Sequence, residues 1–582
     1  MKIVIVGGVA AGMSAATRLR RGSEDAQIVV LEAGDHVSYA NCGLPYHAGG
    51  VIEDREALLL QTPESLAARF RLDVRVGHRV VDVDPDARTV TVETADGTVV
   101  ESYDELVLSP GARPVVPPVP GVERALVLRD VADVDRLVRE IDRATADDAG
   151  DAPADGPTAV VIGAGFVGLE VAENLVRRGL RVTLVELADQ VLAPLDPEMA
   201  VRVHDELVAH GVDVRTSTQV AEVLPASVRL ADPESRDLGT VPADVVVAAI
   251  GVRPDTTLAE RAGAALGPRG GVLVDDDLRT SVAHVWAVGD VATKRDALAP
   301  GTIPAADDAA GLASSATLIP LANLANRHGR HVADVILGRR TGHRPAIGTA
   351  VVGVFGLTAA TTGRSEKRLR AEGRAHRVIH THPAQHAGYY PGATPMALKL
   401  LVDPATDAIL GAQAVGRDGV DKRIDVIATA VAGGLTASDL MDLELAYAPA
   451  YGSAKDPVNM LGYVADNLRA GETRSVQWHE LDAAVAAGAV VVDVRTPDEH
   501  ARGTVEVGGV PSLALPLDEL RARHHEIAGR RVVVHCQVGQ RGHTAARLLT
   551  GLGHDVVNLD GGNLTWRDGV RAQAVRSVTT VA

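Results

Sequence analysis

The sequence predicts an α/β protein built on two Rossmann-like dinucleotide-binding folds, and three observations predict it. Two segments repeat one pattern: KIVIVGGVAAGMSAATRLRR followed by QIVVLEAG, and TAVVIGAGFVGLEVAENLVRRG followed by RVTLVELAD. Each reads as strand, glycine turn, helix, second strand and acid. The apolar runs IVIV and AVVI do not alternate with polar residues, which suits parallel strands covered on both faces. Strands that alternate with helical stretches in this way build doubly wound domains. A chain of 582 residues has room for two to four such units.

In the first copy Gly7 and Gly12 hold the outer positions of the turn, with Val9 and Ala10 between them. Val9 stands where the pattern has its middle glycine, so a pyrophosphate must be accommodated differently there. Glu32, at the end of the second strand, restores the acceptor for ribose hydroxyls. A turn with no ligand is the other reading of this copy. In the second copy Gly163, Gly165 and Gly168, with Phe166 and Val167 between the last two, complete GxGxxG. The first glycine makes the turn, the second lets backbone approach a pyrophosphate at the helix N-terminus, and the third allows close helix packing. Glu186 is the ribose acceptor, and the absence of an arginine directly behind it favours NADH over NADPH. Two dinucleotide sites in one chain suggest a flavin and a nicotinamide, with hydride passing between them.

Residues 145–157 (TADDAGDAPADGP) read as a solvated linker or loop insertion, and a mixed α/β segment follows from about 340 to 460. A second linker at 464–473 leads to a last unit that opens VVVDVRTPDEH and repeats strand, turn and helix in RVVVHCQVGQRGHTAARLL. Hydrophobic residues make up 46% of the chain and charged ones 23%, and no apolar run reaches the roughly 18 residues of a membrane span. The net charge of −18 argues against nucleic acid and anionic membranes as partners. The opening MKIVIVGGVAAGMSAA has the outline of a signal peptide, but its glycines spoil an apolar core. Strand, turn and helix explain more of it, so a cytoplasmic protein is expected.

Only two cysteines occur, Cys42 and Cys536, which excludes a disulfide framework and a multi-cysteine metal site. Cys42 lies in SYANCGLPYH among the loop-formers Asn41, Gly43 and Pro45. It is a candidate redox thiol beside a flavin fold, the alternative being a small buried hydrophobe. With no partner cysteine nearby in sequence, it must cycle through a mixed disulfide, persulfide or sulfenate. Cys536 opens the loop Cys536, Gln537, Val538, Gly539, Gln540, Arg541 between a strand and a helix. Such a loop aims backbone N–H groups at the sulfur and stabilises a thiolate or persulfide, with Arg541 adding positive charge. A buried structural cysteine is the alternative. His380, His382 and His386 have a spacing a metal could use, but no neighbouring cysteine or acid completes a site. A solvated loop and no metal are expected there.

These motifs carry a family resemblance. Through GGVAAG, SYANCGLPY, GAGFVG, VWAVGD, HAGYYPGA and AYAPAYGSAKDPVNM, residues 1 to about 465 resemble the single-cysteine pyridine nucleotide-disulfide oxidoreductases, specifically coenzyme A disulfide reductases. Residues 474–582 resemble a rhodanese domain, through DVRTPDEH and CQVGQR. The fusion is similar to the NADH-dependent persulfide reductases. The resemblance implies FAD on 1–144 and 251–335, NAD(P)H on 158–250, an α+β dimerisation domain over 336–463 and a rhodanese domain over 474–582. It implies that Gly289 and Asp290 hold the flavin ribitol, with Asn41 and Tyr447 also at the flavin, and that Cys42 is the redox thiol. It implies a coenzyme A site at Ser14, Arg18, Arg21, Ser38 and Asn41, with Tyr389, Tyr447 and Lys455 contributed across a homodimer interface. Arg18 and Arg21 also suit the C-terminal end of a helix with no ligand at all, and the tyrosines could simply fill an interface. The implied substrates are small persulfides, polysulfides or disulfides, coenzyme A being carrier or substrate. A coenzyme A disulfide reductase with an accessory rhodanese module, an NADH oxidase and a plain sulfurtransferase remain alternatives. Oxygen-reducing relatives carry a histidine just after the first glycine turn, where this chain has Val9, Ala10 and Ala11. Ala450 stands where relatives usually have proline.

Overall fold

The structure, a computed structural model, describes residues 1–146, 156–267, 269–299, 309–340, 342 and 344–581. Most of the linker expected at 145–157 lies outside them. The chain divides into two compact units. The first comprises Met1–Leu184, Val220–Leu230 and Gly239–Ile347, and the second Val185–Gln219, Ala231–Leu238 and Gly348–Ala582.

A five-stranded parallel sheet forms the first dinucleotide fold, in the order Val285–Ala287, Glu105–Leu108, Lys2–Val6, Gln27–Leu31, Asp73–Arg75. Lys2–Val6 lies at its centre, and Ile3, Val4 and Ile5 are wholly buried, which is why that run has no polar alternation. Helix Ala10–Gly22 follows, and helix Ala322–Ile336 packs on it so closely that a Cβ on Gly329 would stand 2.1 Å from the Ala11 carbonyl. In the second fold Thr158–Ile162 pairs in parallel with Val245–Ala248 and leads into helix Phe166–Arg177. Antiparallel Ala112–Pro114 and Val252–Pro254 join the two folds.

The second unit holds an antiparallel sheet ordered Ala350–Val354, Leu357–Gly363, Ile409–Gly416, Ala397–Val402, Arg377–Thr381. It also holds a parallel sheet ordered Ser475–Val476, Asp555–Leu559, Arg531–His535, Val490–Asp493, Leu513–Ala514. Helix Pro457–Arg469 runs into the stretch expected as a linker at 464–473. The Asp456 carboxylate caps it by accepting from the Val458 N–H at 3.0 Å, and Val458, Leu461 and Ala465 bury one apolar stripe. The helix therefore occupies the first part, to Arg469, of the stretch expected as a linker. No helix among the described residues is long and apolar enough to cross a membrane.

The three histidines also depart from expectation. His380, on strand Arg377–Thr381, His382 and His386 are buried rather than in a solvated loop. The acids missing from the local sequence arrive from far away: His380 Nδ1 donates to Asp560 Oδ2 at 2.7 Å, and Nε2 to Glu198 Oε1 at 3.2 Å. Beside it the ammonium of Lys399, fully buried, meets Glu366 Oε2 at 2.6 Å, Asp196 Oδ2 at 3.0 Å and Glu198. These three carboxylates converge as metal ligands can, but the ammonium already stands among them. Burial works against the Lys399 charge, and the surrounding carboxylates outweigh it and raise its pKa. Lys399→Met leaves three buried acids without their counter-ion and is expected to cost about 3–5 kcal/mol in a urea titration. A loss under about 1 kcal/mol would show that the ammonium is not what holds them.

Candidate functional site

The first nucleotide turn is closed by backbone. Gly7 has φ +97°, and a Cβ there would stand 2.3 Å from the Ser109 carbonyl, while one on Gly12 would stand 1.9 Å from the Gly7 carbonyl. Ser109 Oγ donates to the Val6 carbonyl at 2.8 Å and is 3.0 Å from that of Gly7. Val9 is the residue before the helix and Ala10 its first residue. The Glu32 carboxylate accepts from the Gly8 N–H at 2.7 Å and the Gly34 N–H at 2.8 Å, which fixes it beside the turn.

At the end of strand Val285–Ala287, Gly289 comes so close to helix Ala10–Gly22 that its Cβ would meet that of Ala11 at 3.0 Å. Asp290 follows, and its buried Oδ1 has no hydrogen-bond partner among the described residues. Burial raises the Asp290 pKa, opposed by the charges of Lys294 and Arg129. The Lys294 ammonium donates to the carbonyls of Gly289 at 2.7 Å and Ala292 at 2.9 Å, and burial lowers it to about 8. A backbone-lined turn, an acid beside it and an unpartnered carboxylate oxygen together fit a flavin dinucleotide, whose hydroxyls would satisfy that oxygen.

In the second turn Gly168 approaches the Gly163 carbonyl to 1.9 Å at its Cβ position, whereas a Cβ on Gly165 would meet nothing within 4 Å. Gly165 thus leaves open the side from which a pyrophosphate would come. Phe166 and Val167 open the helix. Glu186 follows strand Arg181–Val185, and its carboxylate accepts from the Ala188 N–H at 2.8 Å.

Cys42 lies in the single turn Asn41–Gly43, ahead of the short helix Leu44–Ala48. The loop is fastened to both folds. The Ser38 N–H donates to the Gly8 carbonyl at 2.9 Å, and the Asn41 amide pairs with Arg129, accepting from Nη1 at 2.8 Å and donating to the carbonyl at 3.2 Å. On the other side the Tyr46 hydroxyl donates to Glu170 Oε1 at 3.1 Å, and Asn174 fills the space above Gly49, the acid and the amide both belonging to helix Phe166–Arg177. Cys42 is exposed, yet the protein around it desolvates the sulfur and, with the charges of Glu170 and Asp290, raises the thiol pKa.

The residues expected at coenzyme A are in part already paired. Ser14 Oγ donates to Asn326 Oδ1 at 2.5 Å, and Arg18 Nε donates to Asp334 Oδ1 at 2.7 Å, which balances the charge expected to meet a phosphate. Arg21 is exposed in the last turn of its helix. In the second unit the Tyr389 and Tyr447 hydroxyls are 3.0 Å apart, and with Tyr390, Tyr451 and Lys455 they are exposed. A cluster of exposed tyrosines has the composition of a surface that a partner covers.

Cys536 directly follows strand Arg531–His535 and is fully buried; its loop turns at Gly539 into helix Gln540–Gly551. Arg541 forms a two-pronged pair with Glu499, at 2.7 and 2.8 Å, so its charge is shared between that acid and the sulfur. Gln537 Oε1 accepts from Arg495 Nη1 at 2.9 Å, and Asn563 Nδ2 lies 3.4 Å away. Beneath, Arg495 pairs with buried Asp493, which also accepts from His500 Nδ1 at 2.9 Å and Thr504 Oγ1 at 2.8 Å. Burial raises the Asp493 pKa, and these partners outweigh it and pull the carboxyl far down. Asp493, Arg495 and Glu499 stand in the quoted DVRTPDEH, so their motif was visible although their support of the loop was not. Ser109 and Arg129 had no local signal.

Two nucleotide turns flanking an exposed thiol define a class, and the chain belongs to the pyridine nucleotide-disulphide oxidoreductases, whose family description matches residues 1–313. The dimerisation domain of that family matches residues 349–456, and a rhodanese-like domain matches residues 477–568. Coenzyme A disulfide reductase of Staphylococcus aureus is 32% identical over 469 residues, covering 80% of this chain and 99% of that protein. The reduced Bacillus anthracis CoADR-RHD crystal structure is 44% identical with TM-score 0.89, covering 97% of this chain and 98% of the other. A NAD-dependent persulfide reductase from A. fulgidus is 34% identical with TM-score 0.86, covering 97% and 100%. The water-forming NADH oxidase of Lactobacillus brevis, 24% identical with TM-score 0.73 over 81% of this chain and 99% of its own, shares the fold.

Proposed function

We propose that this chain is an FAD-dependent enzyme that uses NADH to reduce persulfides or disulfides of coenzyme A at Cys42, with sulfane sulfur carried on Cys536. The observation that carries the reading is an exposed lone thiol fastened on one side to the first nucleotide turn and on the other to the helix of the second. Relatives named as coenzyme A disulfide reductase and persulfide reductase, alike over most of their length, favour it over the alternatives.

Gly7, Val9, Ala10, Gly12, Glu32, Gly289 and Asp290 hold FAD in this reading, and Gly163, Gly165, Phe166, Val167, Gly168 and Glu186 hold NADH. Bound flavin supplies two-electron transfer between nicotinamide and a sulfur on Cys42. The Cys42 thiolate attacks one sulfur of coenzyme A disulfide, forming a mixed disulfide and releasing one coenzyme A thiolate. On a persulfide the same attack takes the terminal sulfur and releases the thiol. Because the surroundings raise the Cys42 pKa, the attacking thiolate is a minor species at neutral pH, and the rate rises with pH. Ser14, Arg21, Ser38 and Asn41 line the coenzyme A approach, Arg18 joining if Asp334 releases it. Tyr389, Tyr447 and Lys455 complete the site from a second subunit of a homodimer. The domain limits in this reading are nucleotide domains to residue 335, a dimerisation domain over 336–463 and a rhodanese domain over 474–582, each containing the stretch that the matching family description covers. Two unpaired thiols suit the reducing cytoplasm.

The test is anaerobic NADH oxidation with coenzyme A persulfide and coenzyme A disulfide as separate substrates, with sulfide quantified. Turnover of persulfide with one sulfide released per NADH is expected. Cys536→Ser should lose turnover of polysulfide and keep that of coenzyme A disulfide. Oxygen consumption without any sulfur substrate would instead make the chain an oxidase.

A further inference from the structure

Residues Asp560 and Gly561 with the first turn of helix Gly562–Val581 touch the Cys536 loop on one side and the antiparallel sheet on the other, all within the second unit. On the loop side the Asn563 N–H donates to the Cys536 carbonyl at 2.8 Å and the Leu564 N–H to the Gln537 carbonyl at 3.1 Å. Gly562 lies so near that a Cβ would meet the Cys536 carbonyl at 2.5 Å and the Gly539 nitrogen at 2.8 Å. On the sheet side Asp560 Oδ2 accepts from both the backbone N–H of His380, at 2.9 Å, and its Nδ1, at 2.7 Å. A Cβ on Gly561 would meet the His380 Cβ at 2.8 Å, and His382 Nε2 is bonded to Thr565 Oγ1 at 2.7 Å. Two residues therefore separate a buried pair with the dimerisation domain from the backbone of the sulfur loop.

We propose that the His380–Asp560 pair is a positioning device for sulfur transfer. By pinning residue 560 to strand Arg377–Thr381, it holds Gly562 and Asn563 against the backbone of Cys536 and sets the loop that receives the sulfur. The proposal rests on the reading of Cys536 as a sulfur carrier, and it adds that the neighbouring domain tunes that carrier.

The charged groups facing His380 are Asp560, Glu198 from helix Pro197–Ala209 and Lys399 from strand Ala397–Val402, with His382 next along the chain. Burial works against a charged ring, and the bonds to Asp560 and Glu198 outweigh it and hold His380 at about 9. That value lies above the ordinary one, so the coupling is whole below about pH 6.5 and is lost as pH rises through about 9.

The reaction to follow is balanced without external electrons. The Cys536 thiolate attacks the outer sulfur of thiosulfate, a bond to Sγ forms, the sulfur–sulfur bond of thiosulfate breaks and sulfite leaves. Cyanide then removes the terminal sulfur as thiocyanate and restores the thiolate.

Full-length wild type, Asp560→Asn and His380→Gln are compared in the single-turnover rate of Cys536 persulfide formation, in thermal midpoint and in coenzyme A disulfide reduction. At pH 7 both variants should form persulfide about tenfold more slowly, within the range of coupling between contacting groups. Each variant breaks a buried charged pair, so the thermal midpoint should fall in both, while coenzyme A disulfide reduction, measured well below that midpoint, should be unchanged. The ratio of wild type to Asp560→Asn should close toward one above about pH 10, where His380 is neutral; a merely structural role leaves that ratio flat. Equal rates at pH 7, or a flat ratio between about pH 6 and 10, overturn the proposal. If one variant does not fold, the other decides by the same ratio. A wild type that takes no sulfur on Cys536 removes the carrier reading and the coupling with it.

Discussion

Cys42→Ser is expected to lower NADH-driven reduction of coenzyme A disulfide by about a thousandfold or more, the size of loss seen when a covalent nucleophile is removed. The serine hydroxyl keeps the shape of the loop, and none of the bonds that fasten it involves the sulfur: Ser38 to Gly8, Asn41 to Arg129 and Tyr46 to Glu170 all remain. The variant should therefore purify yellow and still pass electrons from NADH to the flavin, read as bleaching of the visible band in an anaerobic titration. Bleaching without turnover would place the defect at the sulfur step. Turnover near the wild-type rate would remove Cys42 from the centre of the mechanism. In the wild type, kcat/KM for the disulfide should climb with pH into and past the ordinary thiol range, because burial, Glu170 and Asp290 all favour the protonated thiol.

The second large effect is expected from Gly12→Ala. The added methyl would stand 1.9 Å from the Gly7 carbonyl and 2.7 Å from Ser109 Oγ, both fixed by the sheet, so the turn must open. Flavin affinity should fall by at least about a hundredfold, and the protein should purify pale with its flavin removable by gel filtration. The matching change in the second fold, Gly168→Ala, meets the Gly163 carbonyl at the same 1.9 Å and should raise KM for NADH while leaving the yellow colour. Retention of full colour by Gly12→Ala would show that the first turn is not where flavin binds.

How far the sequence discloses this protein depends on how local each feature is. Both glycine turns, both thiol loops and the acids Glu32 and Glu186 are written within short windows, and the family they resemble is the family to which the chain belongs. The partners of those groups come from other strands and helices. Arg129, which grips Asn41, and Ser109, which closes the first turn, meet their targets only because parallel strands bring distant segments together. His380 shows the cost of reading spacing alone: three histidines in an apparently polar stretch lie buried, with acids supplied by Glu198 and Asp560. Arg18 and Arg541 look like free cations in sequence, and each already holds an acid. Helix Pro457–Arg469 was hidden for the opposite reason, since its apolar stripe is sparse and its burial depends on the sheet beneath it.

The ion cluster around Lys399 has a consequence for how the chain is made. Lys399 lies 201 residues after Glu198. On a ribosome adding about 5–20 residues each second, Glu198 and its neighbour Asp196 wait roughly ten to forty seconds for their counter-ion. Throughout that interval helix Pro197–Ala209 has only water to solvate carboxylates that end up in a dry core. The unit containing Val185–Gln219 is completed only by chain that begins at Gly348, so it closes only after that later chain has emerged. In this unit an early helix is kept waiting for a late strand.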